Sequence, residues 1–181
     1  MLRNTLKRFG SITKLLHWLI FILIAAQFYF VWSLSENSPL IPLYMMLHKS
    51  VGVTVLVFGI LFYIWHIISI NPLPPENQPR WQYFISKLVH HVLFILIILM
   101  PLVGYLLTCS DGKPINFFGW FTIPCLIPTS EQLGNMMFSA HETIAFIILI
   151  LVGIHFLAAL YHHVIRKDEV LKRMLPFTSN K

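Results

Sequence analysis

The chain has 181 residues, 57% of them apolar and only 11% charged, against about 45–50% and about 25% in ordinary soluble domains. A soluble chain of this size buries only about 70% of the surface its unfolded form exposes, too little to hide so much apolar material. Aromatic content of 14%, 8 glycines and 2 cysteines exclude disordered, collagen-like and disulfide-scaffold classes. The net charge of +6 suggests nucleic acid, but the charges cluster in short stretches beside apolar segments, which is the pattern of membrane topology. The composition is that of an integral membrane protein that contacts lipid and has no nucleic-acid partner.

A bilayer core needs about 20 apolar residues per helix, and four stretches free of Lys, Arg, Asp and Glu supply them. The first is Leu15–Leu34, preceded by Arg3, Lys7, Arg8 and Lys14. Its apolar run is too long for a signal peptide and no small-residue cleavage pattern follows, so it reads as a retained span. The second is Ser50–Ile70, followed by a connector, Asn71–Arg80, stiffened by Pro72, Pro74, Pro75 and Pro79. The third, Leu88–Thr108, holds Pro101 and Gly104, a pair that predicts a kink of the sort membrane helices tolerate. A longer connector, residues 109–140, places Phe117, Phe118, Trp120 and Phe121 between prolines, which suits the membrane interface or a lid over something beneath. The fourth span is Thr143–Ile165. Extended to flanking residues, the helices are expected over about 13–34, 44–70, 84–108 and 138–165, in one transmembrane domain covering 1–181. Eleven of the 13 Lys and Arg residues fall on one side of these spans, leaving only Lys49 and Lys113 on the other. The positive-inside rule puts both termini in the cytoplasm. The fold class expected is all-α, a four-helix membrane bundle.

Nine histidines are the chemical signal: His17, His48, His66, His90, His91, His141, His155, His162 and His163. Ionisable groups in a span are costly and by default functional, although a single histidine at a helix end can simply be hydrogen-bonded there. His141 and His155 are 14 residues apart, hence about 21 Å along a helix and within about 40° of one face. Neither HExxH nor CxxC spacing for zinc is present. An iron porphyrin needs only one histidine on each side of the iron, whereas zinc takes three or four ligands. With both termini inside, His48 can meet His141 near the outer surface, and His17 can meet His155 nearer the inner one. His66 competes for that inner position. Gly52, Gly59 and Gly153 lie near these histidines and serve either a flat macrocycle or close helix packing. Cys109 and Cys125 both fall on the outer side and are either bridged, bracing the connector, or two separate interfacial thiols.

Leu16-His17-Trp18, Met46-Leu47-His48, His141-Glu142-Thr143, Gly153-Ile154-His155 and Ala159-Leu160-Tyr161-His162-His163, with the tail Lys167-Asp168…Leu171…Arg173-Met174-Leu175-Pro176, occur here in order. Together with the proline-rich connector and Pro101, they make the chain similar over nearly its whole length to the bacterial cytochrome b561 family. The resemblance implies a four-helix inner-membrane cytochrome with two haems b. It implies His17, His48, His141 and His155 as axial ligands, paired His17 with His155 and His48 with His141, and sets His66 aside. It further implies a superoxide oxidase activity, in which an electron taken from periplasmic superoxide reduces ubiquinone near the inner haem. His162 matches a histidine beside that quinone, and by position Trp18 and His90 are candidates for the same pocket. His91 and His163 read as interfacial.

One departure from the family matters for function. Where the family's oxidase has arginines toward the inner end of span two, Phe62 and His66 stand here. The outer face is also poor in positive charge for a superoxide funnel, with Lys49 and Lys113 set against Glu36, Asp111, Glu131 and Glu142. Three readings follow: a superoxide–ubiquinone oxidoreductase, a membrane electron carrier linking a separate dehydrogenase to quinone, and a divalent-metal transporter. The third is disfavoured because the spans lack carboxylates.

Overall fold

The computed structural model describes residues 1–34, 38–74 and 78–176; Glu36 and Pro75 lie outside them. Four long helices run α1 Ser11–Trp32, α2 Ile41–Ile68, α3 Arg80–Ser110 and α4 Glu131–Val164, with two short strands, β1 Ile115–Phe117 and β2 Phe121–Ile123, between α3 and α4. Each helix is long and apolar enough to cross a bilayer. Large apolar side chains such as Ile22, Ile64, Ile95, Phe146 and Leu157 point outward and stay exposed, as a bilayer-facing surface requires.

The helices begin where local chemistry permits. Pro42 sits in the first turn of α2, where a missing N–H costs nothing. Pro79 immediately precedes α3. Ser130 caps α4 by accepting a hydrogen bond from the Leu133 amide (3.3 Å), with Glu131 in the first turn. That cap starts α4 at Glu131, seven residues before the expected start at 138 and twelve before the charge-free run itself. Its 34 residues reach about 51 Å, well beyond a bilayer core of about 30 Å.

Backbone packing is close between α1 and α2, between α2 and α3, and between α3 and α4. Helix α4 makes no comparably close backbone approach to α1 or α2 among the described residues. Gly59 shows what close packing demands: a Cβ there would lie 3.1 Å from Ile97.

The N-terminal arm and the segment that follows α4 lie at one end of the bundle. Asn4 Oδ1 accepts hydrogen bonds from the Gly10 amide (2.8 Å) and the Thr13 hydroxyl (2.7 Å), and Thr13 Oγ1 accepts from Trp65 Nε1 (2.9 Å), tying α1 to α2. Gly10 is required here, because a Cβ would lie 2.3 Å from the Leu2 carbonyl oxygen. The tail after α4 folds back under this end. Lys14 Nζ donates to the Leu175 carbonyl (2.9 Å), Trp18 Nε1 to the Met174 carbonyl (2.8 Å) and Arg173 to the Leu73 carbonyl (2.9 Å).

At the opposite end the 109–140 connector folds into an antiparallel hairpin, pairing Ile115 with Ile123 and Phe117 with Phe121. The hydropathy pattern did not reveal these strands, since each has only three residues. Phe118 and Gly119 turn the chain with φ of 50° and 79°. Positive φ is unfavourable for phenylalanine, and the Phe118 amide is held by a 2.9 Å hydrogen bond to Ser50 Oγ. Ser50, fully buried, also lies 2.8 Å from the Met46 carbonyl and 3.1 Å from the Asn116 carbonyl. One hydroxyl therefore fastens the hairpin onto α2, two residues from His48. Cys109 and Cys125 are joined in a disulfide that closes the hairpin's base.

Two outcomes are expected. Ser50→Ala removes the partner of a buried amide and should lower stability by about 1–3 kcal/mol, read as an earlier unfolding transition in detergent. Mass mapping without reductant should recover a linked Cys109–Cys125 peptide pair, and two free thiols would contradict the bridge.

Candidate functional site

One face of α4 carries His141, His155 and His162, with buried Ile148 on the same seven-residue rhythm. Seven residues advance a helix about 10 Å and return within about 20° of the same direction, so the stripe spans the bilayer. This stripe looks toward the space that α4 leaves between itself and α1 and α2.

Each of the two deeper histidines meets a partner across that space. His17 on α1 faces His155 with ring centres 6.0 Å apart, and His48 on α2 faces His141 at 6.1 Å. Two metal–nitrogen bonds of about 2 Å, plus roughly 1 Å from each nitrogen to its ring centre, sum to about 6 Å, so either pair accommodates a metal between its rings. His17, His48 and His141 each bury an Nδ1 without a hydrogen-bond partner, a costly arrangement unless a ligand or metal engages the ring. Glycines shape the surroundings. A Cβ at Gly104 would lie 3.1 Å from the His141 ring, and one at Gly52 would lie 3.1 Å from Gln27 Nε2. At Gly153 a Cβ would meet no protein atom within 4 Å, so helix packing is not what calls for glycine beside His155.

The remaining histidines sort by their contacts. His90 lies 5.0 Å from His155, too close for a metal between the rings, and its Nδ1 is 2.5 Å from the Ser86 carbonyl. His66 stacks on Phe94 at 5.2 Å and meets exposed His91 at 6.4 Å, on the α2–α3 side and away from His155. His91 Nδ1 is 2.7 Å from the Lys87 carbonyl, and His163 is exposed. Trp18 packs edge-on to His17 at 5.6 Å, but its N–H is committed to the Met174 carbonyl, leaving only its ring to meet a ligand. His162 pairs with Asp168. Among the described residues no three His, Cys, Asp or Glu side chains converge as a metal site.

Two residues were not singled out from the sequence. Gln27 donates from Nε2 to the His48 carbonyl (3.0 Å) and buries its Oε1 without a partner. Ser50 anchors the hairpin beside the same histidine. Both are uncharged polar residues in charge-free runs, a signal that a search for ionisable groups passes over.

The family model for prokaryotic cytochrome b561 matches residues 8–177. The chain belongs to that family. It is 31% identical to cytochrome b561 homolog 2 of Escherichia coli strain K12 over 180 residues, covering 98% of this chain and 96% of that protein. Cytochrome b561 homolog 1 of the same organism is 32% identical over 177 residues, with 94% and 98% covered. A probable superoxide oxidase, CybB of Yersinia pestis, is 26% identical over 180 residues, with 94% and 97% covered. The protein is therefore a multi-pass membrane cytochrome of the bacterial inner membrane, of a family that binds haem b and transfers electrons.

Gly104→Val should press on the His141 ring and reduce the haem bound per chain, measured as the pyridine haemochrome.

Proposed function

We propose that the protein is a di-haem electron conduit that oxidises superoxide at the hairpin end and reduces ubiquinone at the end carrying the termini. The observation that carries this reading is the pair of facing imidazoles at two depths, 6.0 and 6.1 Å between ring centres. His17 with His155 and His48 with His141 would hold the two haems. When bound, haem b between each pair supplies one-electron redox chemistry, and two such groups about 21 Å apart along α4 offer an electron a route across the bilayer.

The chain's own residues do the rest. A haem held by one histidine from each side would carry single electrons without offering oxygen a binding site. Gln27, Ser50 and the hairpin hold the α1–α2 segment around His48, while Trp18 and the folded-back tail hold the segment around His17. These contacts fix the backbone that carries each histidine. His162 lies about 10 Å beyond His155 on the same face, with Trp18 and His90 near the inner pair, and these three outline the quinone pocket.

Orientation has two supports. The Lys and Arg bias places the termini in the cytoplasm, and a disulfide at the hairpin end belongs in an oxidising compartment. Superoxide would then arrive from the periplasm, drawn by Lys49, adjacent to His48, and by Lys113, whose charge is partly offset by Asp111 at 3.5 Å. The probable superoxide oxidase among the relatives supports this donor. An electron-carrier role for a separate periplasmic redox protein is favoured by a different feature, the strongly exposed Trp120 (79%) and Leu126 (83%) at the hairpin end.

The deciding experiment exposes oxidised purified protein to an enzymatic superoxide source while haem absorption is followed. Reduction abolished by superoxide dismutase, with turnover on added ubiquinone, is the expected result; a two-haem spectrum that superoxide leaves oxidised would reject superoxide as donor and favour the carrier. His155→Ala should lose one of two haems and stop electron transfer across reconstituted vesicles, whereas His66→Ala should retain both haems.

A further inference from the structure

Helix α4 ends at Val164, and the chain turns back on itself immediately. The Arg166 amide bonds the Tyr161 carbonyl (3.1 Å), Lys167 takes a φ of 54°, and the Asp168 amide bonds the His162 carbonyl (3.1 Å). This turn delivers the Asp168 carboxylate to the His162 ring, with Oδ2 2.5 Å from Nδ1. The carboxylate is itself held: Oδ1 accepts from the Val170 amide (3.0 Å), and Arg166 Nε lies 3.8 Å from Oδ2. Arg166 in turn donates to Gln82 Oε1 on α3 (2.9 Å), and the Tyr161 ring meets His162 edge-on at 5.9 Å. The side chains of His162 and Asp168 are 12% and 22% exposed, so the pair is sheltered yet within reach of water.

We infer that Asp168 is a positioning residue that makes His162 the proton donor for quinone reduction, a role that rests on the quinone reading above. An ionised carboxylate can only accept hydrogen bonds, so Asp168 keeps a proton on His162 Nδ1. Nε2 is then the ring nitrogen that gains and releases protons. Converting a quinone to a quinol takes two electrons and two protons, one of each per carbonyl oxygen converted to hydroxyl. The electrons come singly from the reduced cytochrome. Each proton leaves His162 Nε2 for a quinone oxygen, and water at the terminal end reprotonates Nε2 before the next electron. The carboxylate stabilises the imidazolium in each cycle and never touches the quinone, as the aspartate does behind a catalytic histidine elsewhere.

The test uses the full chain with its haem, chemically reduced and mixed with a short-chain ubiquinone while haem reoxidation is followed. Asp168→Asn should slow the saturating rate by about 10²-fold, the lower range of general acid–base contributions. The KM for quinone should stay within about twofold, the solvent deuterium isotope effect should rise, and Asp168→Glu should restore most of the rate. Independently of turnover, ¹⁵N spectra of histidine-labelled protein should show His162 protonated at Nδ1 in the wild type and shifted toward Nε2 in Asp168→Asn. A wild type that fails to reduce ubiquinone overturns the quinone reading and this inference with it. A wild type that reduces ubiquinone beside an Asp168→Asn protein of equal rate and tautomer overturns the inference alone. Should Asp168→Asn lose haem, His162→Gln with intact haem content carries the same expected slowing, and an unchanged rate there, or loss of haem in both variants, overturns the inference.

Discussion

The structure turns on the cost of placing imidazoles in a bilayer. Unsatisfied polar groups in hydrocarbon cost several kcal/mol each by rough estimate, so two histidines on one face of α4 persist only where something engages them. The fold meets that demand by opposing each with a histidine from α1 or α2 at a spacing suited to a metal between them. Everything else follows from keeping those pairs aligned. Helix α4 packs on α3 and leaves the rings room; Gly104 and Gly153 withhold side chains beside them.

The two ends of the bundle are built by different means, and each suits its proposed electron partner. At the hairpin end a disulfide and one buried serine hold a rigid cap next to His48, and exposed Trp120 and Leu126 project from it. At the terminal end Asn4 and Thr13 tie the N-terminal arm to α1 and α2 through side-chain hydrogen bonds, and Lys14 and Trp18 hold the tail through its Leu175 and Met174 carbonyls. A rigid cap suits contact with a small anion or a protein. A strapped tail that carries Asp168 to His162 suits a lipid-borne quinone, whose reduction requires protons as well as electrons. The proposed electron route and proton supply thus share one face of α4, at positions separated by two helical turns.

Helices, spans and the histidine stripe of α4 were legible in the chain because each depends on a local regularity. Charge-free runs of about 20 residues mark spans, and multiples of seven put His141, His155 and His162 on one face whatever packs opposite. The early start of α4 was less visible, since it rests on the Ser130 cap outside the hydropathic core. The hairpin was not visible at all. Its strands are three residues each, and its conformation depends on Ser50, which is 68 residues from Phe118 in sequence. Gln27 escaped notice for a similar reason: an uncharged amide in an apolar helix reveals its role only through what lies across from it.

Composition, charge bias and helical periodicity determined by themselves that this chain spans a membrane four times and aligns histidines along α4. They left open whether His17 or His66 faces His155, because helical spacing sets depth and direction within one helix but not the rotation of one helix against another. The tertiary structure decided that point by rotating His66 toward Phe94 and His91 and bringing His17 to His155. It likewise joined Cys109 to Cys125 and brought Asp168 to His162, contacts that depend on how a connector and a tail fold back rather than on any repeat in the sequence.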